Sequence, residues 1–126
     1  MSETQAESDS YIQIENASTS RLYASGNIFV LGSGCINTTI HSGGRVKIKG
    51  TFRGGEVYAT LGADIYRAGS DSGTPTFIEV PEDQIICIKT AMKGTTIKVG
   101  SKTHTSKETT RQFTAALDKS GRLMLE

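Results

Sequence analysis

A chain of 126 residues and 13.5 kDa, 36% hydrophobic and 6% aromatic, with no Trp and 14 Gly, holds one domain whose core is assembled from many small aliphatic side chains and tight turns. Lys and Arg number 14 against 13 Asp and Glu, a formal charge of +1, so the overall balance lacks the basic excess of a nucleic-acid or membrane-surface binder. No apolar run approaches the roughly 20 residues that cross a bilayer.

Residues 1–10 are polar, with Glu3, Glu7 and Asp9 and no large aliphatic side chain after Met1, and are expected to be a disordered lead-in. They lack the basic-then-apolar pattern of a signal peptide, so the expected compartment is the cytoplasm. Tyr11-Ile12-Gln13-Ile14 is the first strand candidate, and strand alternation without helical periodicity runs from there to Gly100. Within it a repeat is visible. Leu22, Ala24, Gly26, Ile28, Val30 and Gly32 correspond in kind to Ile40, Ser42, Gly44, Val46, Ile48 and Gly50, an offset of 18. A third copy follows at 17 or 18, with Ala59 under Ser42 and Gly62 under Gly44; the slip of one residue is what a bulge or corner produces. The stretches 76–80, 85–88 and 96–100 keep the alternation at looser spacing.

A repeat this short has no room for a helix and cannot bury its own apolar residues, so it must stack on its neighbours. The expected fold is all-β: a right-handed, single-stranded parallel β-helix over residues 11–100, of four to five coils stacked at about 4.8 Å, with glycines at the corners. An antiparallel sandwich is the competing architecture, since many short strands with glycine turns also read that way. It gives no reason for Gly26, Gly44 and Gly62 to recur in phase. Residues 101–126 depart from the repeat and read as a polar linker followed by a terminal β-hairpin, with Asp118-Lys119-Ser120-Gly121 as its turn. A helix over 107–117 competes there, opposed by its three threonines. Asn16-Ala17-Ser18 and Asn37-Thr38-Thr39 match the glycosylation sequon and are read as turns. Cys35 and Cys87 lie in aliphatic runs, where a thiol is expected to act as a small buried hydrophobe rather than half of a disulfide.

The run Gly44-Arg45-Val46-Lys47-Ile48-Lys49-Gly50-Thr51-Phe52-Arg53-Gly54-Gly55-Glu56-Val57-Tyr58-Ala59, continued by Arg67-Ala68-Gly69-Ser70-Asp71-Ser72-Gly73-Thr74-Pro75-Thr76, resembles the C-terminal β-helix of the flagellar assembly protein A family. Residues 22–30 and 35–40 are similar to preceding coils of that family. Part of the pattern also resembles the C-terminal domain of the cell-division inhibitor MinC, with its Arg-Gly turn before an Ala-rich coil; bactofilins resemble it only in coil composition. The resemblance implies a bacterial, cytoplasmic, polymerising or scaffolding β-helix in flagellar or polar assembly, without established catalytic chemistry. Members usually carry a substantial N-terminal region outside this pattern, and its functions are not carried over.

Little in the chain points to chemistry. His41 and His104 have no Cys, Asp or Glu at ligand spacing, so no metal or cofactor is expected. Asp64, Glu79, Glu82 and Asp83 form no facing set of carboxylates; Pro81-Glu82-Asp83 reads as a turn. Gly32-Ser33-Gly34 and Gly54-Gly55 lead into no helix and read as corners rather than phosphate loops. Arg45, Lys47 and Lys49, flanked by Arg53, make an outward basic strip that reads first as a solvated face and otherwise as a nucleic-acid or acidic-partner surface. The expected partner-binding residues are Phe52, Arg53, Gly54, Gly55, Glu56 and Tyr58, with outward aromatics beside an Arg as anchors; Phe52 could instead point into the coil.

These readings lead to a non-enzymatic scaffold acting by protein contacts and self-association, with homo-oligomers expected and no nucleic acid, membrane insertion or small-molecule substrate. The alternative is a MinC-like division regulator binding a partner ATPase. A third reading is a β-helical enzyme acting on saccharide or acyl substrates.

Overall fold

The computed structural model describes residues 11–126 and the backbone of residues 5–8. Its strands are β1 (Gln5–Ser8), β2 (Ile12–Ser18), β3 (Arg21–Ala24), β4 (Ile28–Ser42), β5 (Val46–Ala59), β6 (Ala63–Ala68), β7 (Thr76–Val80), β8 (Ile86–Ala91), β9 (Thr95–Val99), β10 (Lys102–Thr105), β11 (Thr110–Leu117) and β12 (Leu123–Leu125). They form a β-solenoid of about five turns with stacked parallel strands, and no helix occurs among the described residues.

The pairing register reproduces the repeat. Leu22 pairs with Ile40, Ala24 with Ser42, Ile28 with Val46 and Val30 with Ile48, all at an offset of 18. Beyond Val30 the β4–β5 ladder shifts by one, and Gly34 pairs with Thr51 at 17. That slip is the corner between the first and second faces. A Cβ on Gly34, which holds φ +118°, would strike the Thr51 carbonyl, so only glycine lets the two coils approach. The corner between the second and third faces is a left-handed residue recurring coil after coil: Thr19 at φ 48°, Asn37 at 50° and Gly54 at 76°. Asn37 is thus the turn residue expected of it. Asn16 is not a turn residue but lies inside β2, at the register shift that follows Ile14.

Inward positions pile into columns because each coil repeats the alternation of the one before. On the first face Val30, Ile48, Ile65 and Ile88 stack; on the third, Leu22, Ile40, Val57, Ile78 and Ile97. All of these are essentially inaccessible to solvent. The narrow second face carries Ala17, Cys35, Phe52, Ala68 and Ala91, and the small residues on either side leave Phe52 room to fill the centre. Where the second face meets the third, the buried Thr38, Thr76 and Thr95 run in register in one column with the half-buried Gly55. Its hydroxyls are satisfied by backbone: Thr38 Oγ1 donates to the Ile36 carbonyl at 3.0 Å, Thr76 to Thr74 at 3.0 Å and Thr95 to Ala68 at 3.1 Å. Burial of these polar groups therefore leaves no hydroxyl unpaired.

Both ends differ from expectation. The lead-in over residues 1–10 was expected to be disordered, yet residues 5–8 form β1, parallel to β3, because Gln5–Ser8 fall in register with Arg21–Ala24 on an otherwise open edge. Residues 1–4 and 9–10 lie outside the described residues. The polar segment expected as a linker is strand β10, which turns back at Gly100 and pairs antiparallel with β9. The terminal hairpin is present as β11 and β12, and β11 also lies antiparallel along β8, with Phe113 opposite Ile88 and Ala115 opposite Ile86. Thr110 and Thr114 suit a strand that covers an edge, and the competing helix does not form.

Candidate partner surfaces

The six residues expected to bind a partner surround one corner, and the corner divides them. Phe52 points into the solenoid and is wholly buried, which corrects its outward placement. Parity explains this: in β5 the buried positions Val46, Ile48 and Phe52 keep the alternation through the bulge. Arg53 is exposed on the second face. Gly54 is buried, and its N–H donates to Thr76 Oγ1 at 3.0 Å; Gly55, at φ +103°, completes the turn. Glu56 and Tyr58 emerge on the third face. Arg53 and Tyr58 therefore belong to different surfaces.

On the third face Tyr58 is part of an aromatic stripe. Register stacks Tyr23, His41 and Tyr58 outward on successive coils. The Tyr23 and His41 rings meet edge-on at 5.2 Å, and His41 and Tyr58 are tilted at 6.2 Å. Phe77, directly below Glu56, extends the stripe diagonally. A concavity of about 320 Å³ opens between His41, Glu56, Tyr58, Phe77 and Glu79. Glu79 makes a long ion pair with Lys98 at 3.9 Å, leaving Glu56 as the unpaired carboxylate of the surface among the described residues.

On the second face a concavity of about 400 Å³ lies over the first corner and is lined by Ser18, Ser33, Gly34, Thr51, Arg53, Arg67 and Asp71, among others. On the first face Arg45, Lys47 and Lys49 are exposed as expected. Asp64 sits one coil below Lys47 in register, and Lys89 Nζ lies 5.3 Å from the Tyr66 ring centroid. That face mixes both signs and an aromatic, as a solvated strand surface does.

The reactive side chains are scattered. His104 stacks on Phe113 at 6.1 Å in the tail, far in sequence and topology from His41. Asp64 and Glu79 occupy different faces, and Glu82 and Asp83 lie in the turn closed by Gln84 N–H to the Pro81 carbonyl at 3.0 Å. Among the described residues no three His, Cys, Asp or Glu could hold a metal ion together. Cys35 is buried, and burial pushes its thiol up to about 12, so it carries no thiolate near neutrality. Cys87, expected to be buried, is exposed on the first face, because Ile86 and Ile88 take the inward positions; both cysteines are free. Among the described residues no helix is long and apolar enough to cross a membrane.

Tyr23, His41 and Phe77 were not among the expected binding residues. The signal for two of them was already in the repeat, which sets Tyr23 one period before His41 and His41 one period before Tyr58.

No known protein family, curated protein or solved structure matches this chain.

Proposed function

We propose that this solenoid is a cytoplasmic, non-enzymatic scaffold that works through protein contacts on its third face and associates with further copies of itself. The observation that carries the reading is the stripe of Tyr23, His41, Tyr58 and Phe77 on a strand surface. Aromatic side chains give large contact area for little ordering entropy, and a solenoid face with a satisfied interior loses little freedom when it binds. Glu56 and Glu79 beside the rings favour a partner that brings apolar side chains together with Lys or Arg. The resemblance of residues 44–59 and 67–76 to the flagellar assembly protein A family supports flagellar or polar assembly as the setting.

Size-exclusion chromatography with light scattering tests the self-association. Mass is expected to rise with concentration for the native chain and to stay monomeric for Tyr58→Ala; a native chain that is monomeric throughout overturns that part. Affinity capture from a bacterial lysate with the native chain and with the Tyr23→Ala/Tyr58→Ala variant tests the partner. Flagellar or polar proteins should be retained by the native chain alone, and enrichment of division proteins instead favours the MinC-like reading.

A further inference from the structure

The groove on the second face belongs to neither the aromatic stripe nor the core. Thr51 pairs with Arg67, and Arg53 stands two residues beyond Thr51 on the same outward side, so the two arginines are diagonal neighbours about 7–8 Å apart at the backbone. Both are exposed. Neither is ion-paired: the ion pairs among the described residues are Lys98–Glu79 and Arg122–Asp118. Two like charges held side by side oppose each other, and Asp71, which lines the same groove, forms an ion pair with neither.

Their surroundings suit an anion. Gly34 leaves the floor of the groove without a side chain, since coil contact with Thr51 excludes a Cβ there. Ser18, Ser33, Thr51 and Ser70 are among the residues that line the walls. Ser70 is fixed by its neighbours: its Oγ donates to Thr74 Oγ1 at 2.8 Å, pairs with Ser72 Oγ at 2.9 Å and accepts from the Thr74 N–H at 3.2 Å. Among the described residues of the lining Asp71 is the one carboxylate against two arginines, a net positive charge.

We propose that this groove binds a phosphoryl group, held between the guanidinium forks of Arg53 and Arg67 above the bare backbone at Gly34. Planar forks match the oxygens of a phosphate dianion, whose charge the two arginines together balance. Hydroxyl donors from Ser18, Ser33 and Thr51 complete the coordination, while Ser70, its proton given to Thr74 Oγ1, shapes the wall. The site is separate from the stripe, so either can fail without the other.

Inorganic phosphate titrated into the ¹⁵N-labelled chain at constant ionic strength, read by amide shifts, tests this. Saturable shifts are expected at Gly34, Thr51 and Ser70, with a dissociation constant on the order of 1 mM. Arg53→Gln and Arg67→Gln, both surface changes, should each weaken binding about ten-fold while preserving the rest of the spectrum. Asp71→Asn should tighten it, and Lys47→Gln on the first face should leave it unchanged. The absence of saturation up to about 100 mM overturns the proposal, as does equal weakening by Lys47→Gln. Acetate binding as tightly as phosphate overturns the phosphoryl assignment.

Discussion

The parallel coils and the antiparallel tail solve the same problem in opposite ways. In the coils each strand from β2 to β7 is met along one edge by the next circuit, so the inward aliphatic positions recur at an offset of 16 to 23 residues and need nothing but repetition. After Val99 the chain reverses, and β10 and β11 run back along β9 and β8. A further parallel circuit would continue the winding; a reversed strand covers the edge and stops it. The tail also ends the core with a different residue: Phe113 closes the column that Ile48, Ile65 and Ile88 build. Repetition thus builds the interior, and breaking it finishes the molecule.

The sharpest test of the comparison pairs the two buried phenylalanines. Phe52 is fully enclosed between coils, so Phe52→Ala should cost about 4 kcal/mol, read as a shift of the urea midpoint. A near-neutral result would mean that Phe52 faces outward, as the partner-binding reading had it. Phe113, 4% exposed, packs at the boundary between tail and coils, and Phe113→Ala should cost about 3 kcal/mol. Its effect should be local first. Amide protection in β8 is expected to fall more than in β4; uniform loss across both would show that tail and coils unfold as one unit.

Thr76→Val probes how the coils tolerate polar groups inside. The valine keeps the shape but removes the acceptor of the buried Gly54 N–H, leaving a donor without a partner. The expected loss is about 2 kcal/mol by chemical denaturation, and Thr76→Ser should recover most of it.

How far the sequence could be read follows from the same contrast. The coils were legible because stacking demands equivalent residues one circuit apart, and Leu22, Ala24, Ile28 and Val30 pair with the partners that the 18-residue offset assigns. The pairing of β1 was not, since the sequence Gln5-Ala6-Glu7-Ser8 holds no large apolar residue to mark a strand and its register comes from β3 alone. Nor was β10: Lys102-Thr103-His104-Thr105 lies over an edge, where no buried face imposes a hydrophobic pattern. Among surface residues, linear neighbourhood misled. Arg53 and Tyr58 are five residues apart yet a corner separates them, while Arg67, fourteen positions beyond Arg53, shares its groove. Outward function in a solenoid is written down the columns, and a reader following the chain crosses them.

The smallest expected effect lies at the turn between β11 and β12. Asp118 Oδ1 accepts hydrogen bonds from the Ser120 hydroxyl at 2.6 Å, the Ser120 N–H at 2.9 Å and the Arg122 N–H at 2.9 Å. The Ser120 hydroxyl, then the Arg122 and Ser120 amides, hold the carboxyl below its ordinary value of 3.8. A group depressed in the folded state binds its proton more readily when unfolded, so its contribution is present above 3.8 and lost as the pH falls through the lower folded value. The carboxylate is half-buried on the surface of the turn, and only the hairpin should respond. Acidification is therefore expected to speed exchange of the Ser120 and Arg122 amides relative to those of β4, once intrinsic rates are corrected. Asp118→Asn should remove the pH dependence. If instead β4 loosens in the same acid range, the turn and the coils titrate together, and the tail is no separate closure but part of the repeating core.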